Sequence, residues 1–195
     1  MIAFKIANIS AIEIFDSRGY PTIETTVTLD TGDQGRVAIP SGASTGIHEA
    51  VERRDEDEQR FDGKGVLQAI SSVEHIIQPE LIGFDVADQV ALDELLLEID
   101  GSTNKSHCGA NAILSVSLAA AKAYAAAQVL PFYAHLAEGK QEYILPQPML
   151  NVINGGMHAN NDIDFQEFMF VPHNFSSLAE SLRAAAECTY KLRMQ

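Results

Sequence analysis

The sequence predicts an α+β domain over residues 1–135, an antiparallel meander followed by helices, and then the start of a second domain over residues 136–195. Three observations carry this expectation. Residues 21–29 alternate apolar and polar side chains with the period of a strand. From Val66 onward the apolar positions are spaced by four and three, the period of a helix. Beyond residue 140 the pattern changes again, to two apolar runs bounded by Pro and Gly and then one further helix.

The elements follow in order. In PTIETTVTL, Ile23, Thr25, Val27 and Leu29 share one face while Thr22, Glu24, Thr26 and Thr28 share the other, as in a half-buried strand. FDSRGYP before it and DTGDQG after it supply the Gly, Asp and Pro of turns, and RVAIP makes a third short strand. Val66, Ile70, Val73 and Ile77 form one stripe of an amphipathic helix. Asp85 is placed to cap a second helix through VADQVALDELLLEI. The third helix, GANAILSVSLAAAKAYAAAQ, is so rich in Ala that a neighbour can pack very closely on it. Leu130-Pro131 ends it, because the residue before a proline avoids the α region. Strands first and helices after is the α+β order.

In the second segment, ILPQPMLNVI is too short for a good helix and reads as a buried strand, and DFQEFMFVP as another. Ser177-Leu178-Ala179-Glu180 is a capping box that opens a helix with Leu178, Leu182 and Ala185 on one side. That helix reaches Gln195 without a closing signal. Strand, strand, helix reads as the beginning of a domain and not the whole of one.

Composition narrows the function. A chain of 195 residues, 46% hydrophobic and 21% charged, can build a globular core. Its net charge of −14 argues against a sequence-independent nucleic-acid binder, which needs clustered Lys and Arg. A local site can still attract a phosphorylated small molecule. Cys108 and Cys188 suggest neither a disulfide framework nor a zinc knuckle, and are expected as buried, reduced thiols. Asn8, Ser10 and Glu13 interrupt any signal-peptide core, and no membrane span is expected, so the protein reads as soluble and cytoplasmic.

Two stretches carry candidate chemistry. PSGASTG, residues 40–46, follows a strand and holds two Gly and three hydroxyls. It reads either as a loop whose backbone approaches an anion while a Ser ligates Mg²⁺, or as a plain surface turn. It lacks Gly-Lys-Ser/Thr and is not a P-loop. In NVINGGMHANNDIDFQEFMFVP, residues 151–172, His158 follows Gly155-Gly156, while Asn160, Asn161 and Asp162 suit Asx turns. Glu167 stands among Phe165, Phe168, Met169 and Phe170, where a carboxylate is costly unless paired or ligand-bound. Gln166 and Glu167 should face opposite sides of a strand. ERRDEDEQR, residues 52–60, reads as a solvated helix face or loop.

Taken together, FDSRGYPTIE, AIPSGASTGIHEA, RFDGKGV, NKSHCGANAILSVSLAAAKA and PQPMLNVINGGMHANNDIDFQEFM, in this order and over nearly the whole chain, resemble the enolase family. The resemblance implies an N-terminal α+β domain followed by an eightfold β/α barrel. It also implies a reaction: dehydration of 2-phosphoglycerate to phosphoenolpyruvate with two Mg²⁺ ions, in glycolysis, by a homo-oligomer. A Lys takes the proton beside the carboxylate, the metals stabilise the enediolate, and a Glu assists departure of hydroxide. By resemblance Ser44 matches a metal-ligating loop serine, His158 a substrate-side histidine, Gln166 a substrate-contacting glutamine, and Glu167 a carboxylate beside the leaving hydroxyl. Some enolases also occur at the cell surface or outside the cell.

The chain departs from the family pattern at several places. Tyr20 stands where an Asn is usual, Glu56 where a Gly is usual in an Asp-Gly-Asp turn, and Gln147 where a Val is usual. VPHNF also differs from the familiar sequence. The family's base Lys, acid Glu, first-metal carboxylates and phosphate-binding Arg-Ser have no counterpart in residues 1–195. A β/α barrel takes about 250 residues. The expectation is therefore an enolase-family chain with a truncated barrel, inactive alone. The alternatives are a non-catalytic binding or regulatory fragment associating with enolase subunits, or a barrel supplied by a separate chain.

Overall fold

The computed structural model describes residues 3–42, 46–137, 139–140, 142–156 and 159–194. Two compact units result, Met1–Gly139 and Lys140–Gln195.

In the first unit, β1 (Ile6–Phe15), β2 (Pro21–Leu29) and β3 (Gln34–Ala38) form the antiparallel meander in the order β1-β2-β3. The β1–β2 turn is pinned by Asp16, whose carboxylate accepts the N–H groups of Arg18 (2.8 Å) and Tyr20 (2.9 Å). The Tyr20 N–H, with that of Arg18 and the Arg18 guanidinium, holds this carboxyl below its ordinary range. In β2 the alternation is realised: Ile23, Thr25, Val27 and Leu29 are all buried. Thr25 tolerates burial because its hydroxyl bonds that of Ser115 at 2.7 Å.

The helices close over one face of this sheet. Val66, Val73 and Ile77 lie fully inside the core, and Ile70 packs against it. The stripe runs through α1 (Leu67–Ser72), a wide π-turn (Val73–Ile77) and α2 (Gln78–Leu81). Pro79 has no N–H to donate to the preceding turn, and the wide turn lies directly ahead of it. Next comes α3 (Gln89–Asp100), which is capped by Asp88 and not by Asp85. The Asp88 carboxylate accepts the Ala91 N–H at 3.0 Å. Asp85 is engaged elsewhere, accepting from Phe4 and Ala87 and bridging to Lys5, so it ties the N-terminal strand down instead.

The Ala-rich helix is α4 (Ala110–Ala127), and its small side chains admit the sheet at very close range. A Cβ placed on Gly35 of β3 would lie 2.0 Å from the Ala119 carbonyl oxygen and 2.3 Å from the Ala123 nitrogen. Only glycine facing alanines fits there. Contrary to expectation, α4 is long and apolar enough to pass as a membrane span, but 56% of it is buried within the unit, as in the core helix of a globular domain. After Pro131 the chain makes a short α5 (Phe132–Leu136).

Cys108 is buried, and burial pushes its thiol up. Cys188 is exposed, contrary to expectation.

The second unit holds β4 (Leu150–Asn154), β5 (Glu167–Phe170) and α6 (Leu178–Arg193). The two strands pair antiparallel. A parallel pair needs a crossover, usually an α-helix, and the described residues of 155–166 contain no α-helix. Ser177 caps α6 by accepting the Glu180 N–H at 3.2 Å. Glu180 does not complete the reciprocal box, because its carboxylate pairs with Arg183 at 2.7 Å. Ser181 and Ala185 are the buried positions of α6, whereas Leu182 is 45% exposed, so the inward face lies one position earlier than the apolar spacing suggests. The Ser181 hydroxyl donates to the Pro172 carbonyl, which explains a serine there. Nor is the run before Asn154 a fully buried strand. Regular structure begins only at Leu150, and Ile144 is 96% exposed.

Two predictions follow from this packing. Gly35→Ala forces β3 off α4 and should lower stability by about 3 kcal/mol, read as the shift of a urea unfolding curve; an unchanged midpoint would contradict the close-packing account. In limited proteolysis with mass spectrometry, residues 1–135 should survive as a unit while cuts accumulate beyond residue 140, where buried side chains are few. Equal protection of both segments would be incompatible with that.

Candidate active site

The loop 40–46 is held at its base by a strap that the sequence reading took for solvated charge. Arg54 donates to the carbonyls of Pro21 and Lys64, both at 2.8 Å, to the Ser41 hydroxyl at 2.9 Å, and to Glu52 at 2.8 Å. Glu52 in turn accepts from Ser41 at 3.0 Å. Arg53 exchanges backbone bonds with the Asn111 amide, at 2.9 and 3.1 Å, and Ala110 donates to the Val51 carbonyl. A Cβ on Gly109 would lie 2.4 Å from the Arg53 Cβ, so a glycine before α4 lets the strap dock on the helix start.

Asp55 caps the Gln68 N–H at 2.7 Å and pairs with Arg60 at 3.2 Å; Arg60 also pairs with Glu13 of β1. These charges are half-buried and paired. Only 56–59 lie fully at the surface. Their partners lie far away in sequence, so composition alone could not reveal them.

Ser44 itself lies outside the described residues. Ser41, Gly42 and Gly46 flank it, and beside them Ile47, His48, Glu52 and Asn104 line part of a cavity of about 620 Å³. The base of the loop is thus fixed by ionic and side chain–backbone bonds, and Ile47, just after it, is 95% accessible.

The second stretch forms the β4–β5 hairpin. Gly155 donates to the Gln166 carbonyl at 3.0 Å and Gly156 to the Ile163 carbonyl at 2.7 Å. A Cβ on Gly155 would lie 2.4 Å from the Phe165 oxygen, and Gly156 has φ +57°, so the Gly-Gly pair is required by the turn itself. Asn161 accepts the Ile163 N–H at 3.1 Å and donates to the Asn154 carbonyl at 3.0 Å, the Asx-turn role open to it.

His158 lies outside the described residues. Gln166 and Glu167 stand side by side where β5 begins, and Glu167 pairs with Asn154 of β4. The apolar neighbours of Glu167 do not bury it. Phe165 is 72% exposed and Phe168 43%, and Glu167 is itself exposed. The desolvation argument for a ligand-bound carboxylate therefore does not apply to the described surface. Ser44 belongs to the first unit and the other three candidates to the second. Among the described residues, no three His, Cys, Asp or Glu side chains converge as a metal ion would require.

The first unit is a meander covered by helices, and the second is an antiparallel strand pair followed by a helix. The family model described as the enolase N-terminal domain matches residues 6–136, and that described as the enolase C-terminal TIM barrel domain matches residues 142–195. The chain belongs to the enolase family.

One departure from the family pattern falls just after the strap. Glu56 has φ +58°, a left-handed conformation that suits the glycine usual at this place. Glu56→Gly should raise stability by roughly 1 kcal/mol, the relieved strain exceeding the added freedom of the unfolded chain. A thermal midpoint that falls would show that the glutamate is favoured at this turn.

Proposed function

We propose that the chain serves the Mg²⁺-dependent dehydration of 2-phosphoglycerate to phosphoenolpyruvate, a carbon–oxygen lyase reaction of glycolysis, and that residues 1–195 alone do not complete it. The observation that carries this reading is the succession of two enolase matches, with the Gln166–Glu167 pair inside the barrel stretch. In this reading Glu167 faces the leaving hydroxyl, Gln166 and His158 contact the substrate, and Ser44 belongs to the metal-binding loop. Mg²⁺ enters as the family's cofactor, which supplies positive charge for a developing enediolate.

Removing a proton beside a carboxylate demands a base and strong stabilisation of the resulting charge. The family's base Lys and first-metal carboxylates have no counterpart in residues 1–195. Groups that act as a unit leave little activity when some are missing. An exposed, unpaired Cys188 supports a reducing, cytoplasmic setting.

A second reading, association with enolase subunits as a non-catalytic piece, is favoured by the exposed apolar side chains of the second unit, among them Ile144, Leu145 and Phe165.

The test is ultraviolet absorbance of phosphoenolpyruvate with purified chain, excess Mg²⁺ and 2-phosphoglycerate. No turnover is expected from the chain alone, and measurable turnover on adding a separately expressed enolase barrel fragment. Robust turnover by residues 1–195 free of host enolase would overturn the incomplete-site reading. Binding to enolase subunits without any gain of turnover would favour the second.

A further inference from the structure

We propose that Arg18, Tyr20, Ser41, Arg54 and Lys64 form a binding site for a small phosphate dianion, inorganic phosphate or the phosphate group of a monoester. Together with Gly42 they line a cavity of about 240 Å³ in the first unit. That is smaller than the roughly 300–1,000 Å³ of pockets for organic ligands, and suits a small anion better than a nucleotide.

Charge is the first argument. The chain carries −14 overall, yet this lining presents three cations, Arg18, Arg54 and Lys64, and no carboxylate. Two of them have counter-ions outside the lining: Asp16 lies 3.2 Å from Arg18, and Glu52 2.8 Å from Arg54. Lys64 has no such ion pair among the described residues. Its ammonium lies 4.0 Å from the centre of the Tyr20 ring. Lys64 is thus the lining cation without a carboxylate partner among the described residues, and its charge is available to an incoming anion.

Preorganisation is the second argument. Ser41 joins the two arginines, its carbonyl accepting from Arg18 at 3.1 Å and its hydroxyl from Arg54 at 2.9 Å. Arg54 fixes the Lys64 backbone through its carbonyl, and the Asp16 carboxylate fixes Tyr20 through its N–H. Arg54 uses both Nη groups on Pro21, Lys64, Ser41 and Glu52, so it contributes charge and scaffold. Arg18 and Lys64 supply donors held by the fold before any ligand arrives, which lowers the ordering cost of binding. Tyr20 is the departure from the family's usual Asn, and its ring is what seats Lys64. The Arg18 guanidinium and the Lys64 ammonium supply the charge-assisted donors that a phosphate prefers over chloride.

Ser41 and Arg54 also hold the base of the 40–46 loop, so the readout chosen is binding and not turnover. The experiment titrates the full 195-residue chain with inorganic phosphate, in chloride buffer at constant ionic strength, followed by calorimetry and amide chemical shifts. Saturable binding is expected, with shifts centred on Gly42 and Lys64. Lys64→Gln should weaken it at least tenfold, Tyr20→Asn about threefold, and Lys64→Arg should retain it. Lys140→Gln, a lysine in the second unit, should change nothing. A parallel titration with glycerol 2-phosphate separates the sources: tighter binding than inorganic phosphate assigns the site to monoesters, and equal or weaker binding to the free ion. Binding that fails to saturate, or that is unchanged in Lys64→Gln, would overturn the proposal.

Discussion

The close approach of β3 to α4 at Gly35 is the constraint on which the rest of the first unit depends. Backbone meets backbone there because neither side carries a side chain larger than a methyl group at the contact. That distance sets how deeply α4 sinks into the sheet, and Ala112, Val116, Ala119, Ala120 and Ala123 are consequently all fully buried. α4 itself begins at Ala110, and the strap from Val51 to Asp55 docks on that beginning through Gly109, Ala110 and Asn111. The base of the 40–46 loop is tied in turn to the strap through Arg54. A packing decision between one glycine and a row of alanines is thereby passed to the loop that the functional reading needs.

Much of this was legible in the sequence because it is periodic. The inward face of β2 and the stripe Val66, Ile70, Val73 and Ile77 are patterns of side-chain spacing, and burial follows spacing directly. The Ala content of the third helix announced a close neighbour without saying which. What failed was aperiodic or long-range. Asp85 and Asp88 are chemically equal candidates for a cap, and only the tether of Asp85 to Phe4 and Lys5 decides between them. The charges of residues 52–60 are indistinguishable in sequence from a solvated run, because their partners Glu13, Ser41, Ser106 and Asn111 lie elsewhere in the chain. For the candidate site, the turn-forming role of Asn161 could be read from residue type. The exposure of Glu167 could not, because its apolar neighbours are themselves uncovered.

The five stretches that carry the resemblance to enolases divide by physical task. FDSRG makes the Asp16-centred turn, CGAN receives the strap, and RFDGKG closes the Arg60 and Lys64 segment against Glu13 and Asp55. These are scaffold devices. Their recognition value comes from demanding geometry: a glycine where a Cβ would collide, an aspartate where two N–H groups converge. The family match over residues 6–136 is therefore a statement about how the loop is held as much as about catalysis.

The second unit shows the same logic with less burial behind it. Gly155 and Gly156 bring the chain back on itself so that Gln166 and Glu167 open β5, and Asn161 fixes the intervening turn to Asn154. This places two adjacent polar side chains at a strand start without help from a core, since among the described residues of this unit only Gly155, Ser181 and Ala185 are buried. Local hydrogen bonds can set such a hairpin, but they hold it weakly, because each contributes only about 1 kcal/mol net and a lone two-stranded hairpin is marginal in water. A catalytic pair must be fixed far more tightly than that to stabilise a transition state selectively. The sequence of the hairpin therefore specifies where Gln166 and Glu167 stand, while the rigidity that chemistry requires has to come from apolar cover over Phe165, Phe168 and Met169.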